Sequence, residues 1–128
     1  YRTTIALAPV AMSRLRIRVY IAGPISLGDQ TENVRHAGDV GKRLLARGFA
    51  VMIPQLTHLI DPDGVYGTEG YVRWLESDFS FISVCDAVLR LPGDSRGADA
   101  ETRFAESLGI PVFTSIDDLQ AHYAGRVL

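Results

Sequence analysis

Asp86-Ala87-Val88-Leu89-Arg90-Leu91-Pro92-Gly93-Asp94-Ser95-Arg96-Gly97-Ala98-Asp99-Ala100-Glu101 reads as a strand stopped by Pro92-Gly93, a short polar loop, and the opening of a helix. The helix is expected over about Ala98–Leu108, because Glu101, Phe104, Ala105 and Leu108 follow i, i+3, i+4, i+7 spacing and Gly109 supplies the stop. Ile110-Pro111-Val112-Phe113-Thr114 then reads as a further strand. Upstream the same alternation repeats. Arg16–Ala22 is rich in β-branched and aromatic residues and halts at Gly23-Pro24, where proline forces the preceding residue to be extended. From Asp29 to Arg47 the apolar positions take helical spacing, with Asp29 and Glu32 placed as a capping box and Gly48 as the stop.

Phe49–Ile53, closed by Pro54, is expected to be a strand buried on both faces, and Gln55–Gly67 a loop with its turn at Asp61-Pro62-Asp63-Gly64. A second helix is expected from about Glu69 to Ser83, and Ser115 with Asp118 should cap a short last one. Strands and helices alternate throughout, with no hairpin turn signals. The expected fold class is therefore α/β, a single three-layer, flavodoxin-like or Rossmann-like domain around a parallel sheet of four to five strands. Ligands of such sheets sit at the carboxyl ends of the strands.

The 128 residues, 47% of them hydrophobic, suffice for one core but not two ordinary domains. A net charge of -2 provides no global basic field, so a nucleic-acid polymer is not an expected partner. Cys85 is the sole cysteine, which excludes a disulfide framework and suits a reducing, cytoplasmic setting. No apolar run approaches the roughly 20 residues of a membrane span. Tyr1–Ala11 is expected to be an upstream remnant, with Met12 as the natural start and residues 12–128 as the domain.

Three polar side chains break the apolar pattern. Glu101 shares the stripe of the core-facing residues of its helix, and it either belongs to a site or complements the helix dipole. Asp78 lies on the stripe Tyr71, Leu75, Asp78, Ile82, either as a buried acid with a raised pKa or as a rim residue paired with Arg73 or Arg90. Tyr20 is the last large residue of the first strand before the Ala22–Gly28 stretch, where a core tyrosine with a satisfied hydroxyl is the commoner case. Gly23, Ser26 and Gly28 form a loop whose amides can approach an anion, and Ser95 and Gly97 precede or open a helix that can do the same. His36, His58 and His122 have no mutual spacing that suggests a metal, and neither a metal nor a cofactor is expected.

Taken together, Val19–Ile25, Glu76-Ser77-Asp78, Cys85–Val88 and Ser95–Glu101 resemble the nucleoside 2-deoxyribosyltransferase superfamily. The pieces Leu91-Pro92-Gly93, Ser95-x-Gly-Ala-x-x-Glu101 and Leu108-Gly-Ile-Pro-Val112 are most similar to its small phage and bacterial branch of unknown function. The resemblance implies a nucleophilic glutamate at Glu101, a tyrosine contacting it at Tyr20, and an acid near the leaving base at Asp78. It further implies substrate contacts at Gly23, Ser26, Gly28, Ser95, Gly97 and His58. Nucleotide-hydrolysing relatives carry a serine six residues before the glutamate, so Ser95 favours a nucleoside 5′-monophosphate over a free nucleoside. The first loop departs from those relatives, since it lacks their arginine and adds Asp29.

The implied activity is cleavage or exchange of an N-glycosidic bond, with a small-molecule nucleoside or nucleotide as partner and a homo-oligomer, dimer or higher, as the assembly. Tyr71 and Trp74 are the expected interface aromatics. A non-catalytic nucleotide-binding or sensing module using the same cleft is the alternative, and a scaffold subunit is the third reading.

Overall fold

The computed structural model describes residues 15–57 and 67–125, and for 67–70 the backbone only. Tyr1–Ala11, Met12, His58 and the Asp61–Gly64 turn lie outside the described residues. Four parallel strands form the sheet: β1 (Arg18–Ala22), β2 (Ala50–Met52), β3 (Ala87–Arg90) and β4 (Val112–Phe113), in the order β2-β1-β3-β4. The helices are α1 (Gln30–Ala46), α2 (Pro54–Thr57), α3 (Gly67–Ile82), α4 (Arg96–Ser107) and α5 (Ile116–His122). The order reverses direction between β1 and β3, the point in such sheets at whose carboxyl ends ligands generally sit.

Strand parity divides the interior. Val19, Ile21, Ala87 and Leu89 point to one face and pack with Ala37, Val40 and Leu44 of α1, with Phe49, and with Ile116 and Leu119 of α5. Tyr20, Ala22 and Val88 point to the other and pack with Ile82 of α3 and with Ala98 and Ala105 of α4. On that side Phe79 and Phe104 stack with centroids 4.3 Å apart, joining α3 to α4.

Three expectations are corrected. β2 is half-buried rather than buried on both faces, because the strand order puts it at an edge. Part of the expected loop after it is the single turn α2. The Asp29 cap forms, its carboxylate accepting from the Glu32 amide at 3.1 Å, but the Glu32 side chain turns to Arg35 instead of closing the box. Among the described residues no helix is long and apolar enough to cross a membrane.

Candidate functional site

Tyr20, Asp78 and Glu101 come from three elements and meet between the sheet and the α3–α4 pair. Tyr20 stands in the middle of β1, opposite Val88 of β3, and is fully buried. α4 starts at Arg96, two residues before the expected Ala98, so Glu101 lies in its second turn. Asp99 is the acid of the first turn and takes the dipole-complementing role considered for Glu101. Glu101 is 5% exposed and Asp78 4%. The Tyr20 hydroxyl donates to Glu101 Oε2 at 2.6 Å, and Asp78 comes within hydrogen-bonding reach of both. The core reading of Tyr20 and the site reading thus coincide: its hydroxyl is satisfied, and the partner is the candidate nucleophile.

Counting protons constrains the trio. The tyrosine hydroxyl has one proton to give, and Glu101 accepts it. Two carboxyls in mutual contact in a dry interior disfavour double ionisation, and the resolved consequence falls on Glu101. The Glu101 carboxyl is accordingly pushed up to about 8: burial raises it, the Tyr20 hydrogen bond pulls it part-way back, and the Asp78 charge raises it again. Tyr20 is driven above its ordinary value, by burial first and by the two acids next, which keeps it a neutral donor.

Around the trio, the loops at the carboxyl ends touch directly. A Cβ on Gly23 would stand 2.9 Å from Leu91 Cβ, and one on Gly93, whose φ is +111°, would stand 2.9 Å from Pro24. Glycine at both positions lets the β1–α1 loop lie against the β3–α4 turn. Asn33 of α1 donates to the carbonyls of Ile25 (3.1 Å) and Leu27 (2.8 Å). Because carbonyl and amide point oppositely across a trans peptide, the amides of Ser26 and Gly28 face away from α1. Ser26 and Gly28 are exposed. Ser95 is the N-cap of α4, its hydroxyl accepting from the Ala98 amide at 3.0 Å, which leaves the first-turn amides of Arg96 and Gly97 without intrahelical partners. A Cβ on Gly97 would come within 4.0 Å of Ser95 Oγ, an ordinary contact. His58 lies outside the described residues.

Sequence reasoning missed Asn33 and Gln55. Gln55, at the start of α2, is 1% exposed, and neither its oxygen nor its nitrogen has a hydrogen-bond partner among the described residues. A glutamine directly after a strand-ending proline was the available signal, but only three-dimensional burial gives it weight. Among the described residues no three His, Cys, Asp or Glu side chains gather as a metal group would.

Residues 17–114 match the family model described as a domain of unknown function, DUF4406. The chain belongs to the DUF4406 family. No curated protein matches it. Among solved structures, this DUF4406 domain is similar to a 2-deoxyribosyltransferase from the psychrotolerant bacterium Bacillus psychrosaccharolyticus, described as a biocatalyst for the synthesis of antiviral and antitumoral nucleosides. The two chains are 22% identical with a TM-score of 0.59, over 77% of this chain and 75% of the other. At that identity the likeness is one of fold.

Proposed function

We propose that the domain cleaves or exchanges the N-glycosidic bond of a nucleoside, or of a nucleoside 5′-monophosphate, through a covalent glycosyl intermediate on Glu101. The observation that carries this reading is the buried hydrogen bond of 2.6 Å from the Tyr20 hydroxyl to Glu101 Oε2. It fixes the orientation of the Glu101 carboxyl group. The likeness in fold to a 2-deoxyribosyltransferase supports the substrate class.

In the reactive form a proton is on Asp78 and the charge on Glu101. The Glu101 carboxylate attacks the anomeric carbon as the bond to the base breaks, and a carboxylate close to the developing oxocarbenium stabilises its charge. The electron pair leaves with the base, and Asp78 gives the proton to the base nitrogen. Water then attacks the same carbon, the ester bond breaks back to Glu101, and the water proton returns to Asp78. When a second base attacks instead of water, its N–H proton takes that path and the product is an exchanged nucleoside. The exposed amides of Ser26 and Gly28 and the first turn of α4 at Ser95–Gly97 are the proposed 5′-phosphate contacts.

The test is incubation with a panel of nucleosides and their monophosphates, followed by chromatography for free base. Wild-type protein releases base from at least one member, and Glu101→Gln lowers the rate by at least about a thousandfold while retaining the fold. Equal turnover by Glu101→Gln overturns the mechanism. No release from any member of the panel overturns the proposed activity.

A further inference from the structure

The proposed reaction uses Tyr20, Asp78 and Glu101, and leaves one largely buried cation without a role. Arg90 ends β3, and its side chain is only 16% exposed. Val88 of the same strand faces the Tyr20 side of the sheet, and a residue two further along faces the same way. The guanidinium therefore lies on the side of the carboxyl pair. Its Nη1 donates to the Leu91 carbonyl, and its Nη2 donates to the Gly93 carbonyl at 3.0 Å and to Asp99 Oδ1 at 2.9 Å. One planar group thus holds two carbonyls of the β3–α4 turn and the first turn of α4. That turn is the one Gly93 presses against Pro24, so the clamp is fixed to the β1–α1 loop as well.

Glu101 is two residues along α4 from Asp99. We propose that Arg90 is a positioning residue for the nucleophile: it locks the β3–α4 turn to the first turn of α4, and through Asp99 it sets how much positive charge faces Glu101. The inference rests on the reading of Glu101 as nucleophile.

The charged and titratable groups acting on Glu101 from the elements packed against α4 are Tyr20 on β1, Asp78 on α3 and Arg90 on β3, and β4 contributes none. Arg90 is the cation among them, and its charge favours the ionised carboxylate. Asp99 opposes it. The ion pair itself stabilises the fold little, because Asp99 is 56% exposed. Its effect is on charge, since the Asp99 carboxylate screens the guanidinium that Glu101 would otherwise see in full.

Charge and clamp separate by substitution. Arg90→Met removes both. The population with Glu101 ionised and Asp78 protonated shrinks, so the plateau of kcat/KM falls several-fold, and its alkaline limb moves up by roughly half a pH unit or more. Arg90→Lys retains the charge but cannot span two carbonyls and a carboxylate with a planar fork, so the limb stays and KM rises. Asp99→Asn, at an exposed position where folding is not at risk, moves the limb down. The Glu101 carboxyl carbon, followed by NMR in protein labelled at glutamate and assigned by loss of the signal in Glu101→Gln, shifts its midpoint in the same directions without any substrate. Opposite shifts in Arg90→Met and Asp99→Asn are the expected result. Should Arg90→Met fail to fold, the Asp99→Asn titration decides alone: a downward midpoint supports the inference and an unmoved one overturns it. If wild-type protein releases no base but the NMR midpoints move as stated, the electrostatic role stands and the functional reading falls. If base is released and no midpoint moves, the inference is overturned and the functional reading stands.

Discussion

Val19 and Ile21 turn towards α1 and α5 into a layer that is apolar but for the Tyr123 hydroxyl, whereas Tyr20, between them on the same strand, turns towards α3 and α4 and meets two carboxyl groups. One residue of strand parity separates the two environments. The apolar face contains Leu44, Phe49, Leu89 and Leu119, all at most 2% exposed, and its buried cluster includes no carboxyl group. The face that carries the site replaces part of such packing with Asp78 and Glu101, and burying a carboxyl opposes folding unless it is protonated or well bonded. The buried carboxyl groups thus lie on one side of the sheet and the larger apolar cluster on the other, and each side should tolerate a different kind of change.

The largest effect should come from damage to the apolar face. Phe49→Ala is expected to cost about 3–5 kcal/mol, measured by urea unfolding, because a fully buried ring leaves a cavity. A loss below about 1 kcal/mol would show that this face is not the principal source of stability.

The next effect belongs to the other face and depends on pH. Folded Glu101 holds its proton up to about 8, while the ordinary value of 4.5 applies once the chain unfolds. Between those values the folded state binds more protons than the unfolded one, so the contribution of Glu101 is fully present below about 4.5 and is lost as pH rises through about 8. The expected decline amounts to a few kcal/mol at most, shared between Glu101 and the groups coupled to it. Glu101→Gln should flatten that part of the profile, and identical pH profiles for the two proteins would remove the raised Glu101 carboxyl from the account.

The smallest effect on stability is expected at the rim. Ser95→Asp should leave stability within about 0.5 kcal/mol, since aspartate caps a helix as well as serine does. Binding of nucleoside monophosphates, measured by calorimetry, should nonetheless weaken by tenfold or more through like-charge repulsion, with free nucleosides little changed. Equal weakening of both ligands would dissociate Ser95 from the 5′-phosphate.

The alternation of elements was legible because local punctuation marks it: Gly23-Pro24, Gly48, Pro92-Gly93 and Gly109 each stop an element by their own backbone limits. Strand order was not, since it is decided by packing, and so the half-burial of β2 could not be foreseen. The stripe on α4 brought Glu101 to attention, but spacing left Glu101, Asp78 and Tyr20 each with an ordinary alternative, and the family resemblance was what joined them. Their contact spans residues 20, 78 and 101, and the upward shift of Glu101 depends in part on that contact, so no local pattern contains it. Asn33 and Gln55 were illegible for the same reason, as each matters through carbonyls or burial supplied from elsewhere in the fold.

The strand order has a further consequence, for how copies of the chain meet. The two outer strands are the short ones, β2 with three residues and β4 with two, and each is bounded by a proline, Pro54 after β2 and Pro111 before β4. A proline has no amide to offer a neighbouring strand, and two or three residues give little ladder for another chain to extend. These outer strands are thus poor templates for continuation of the sheet into a second molecule, and they protect the domain from fibre-like stacking. Apolar side chains exposed away from the sheet edges, such as Tyr71, Val72 and Phe81 of α3, lie on helical surfaces instead.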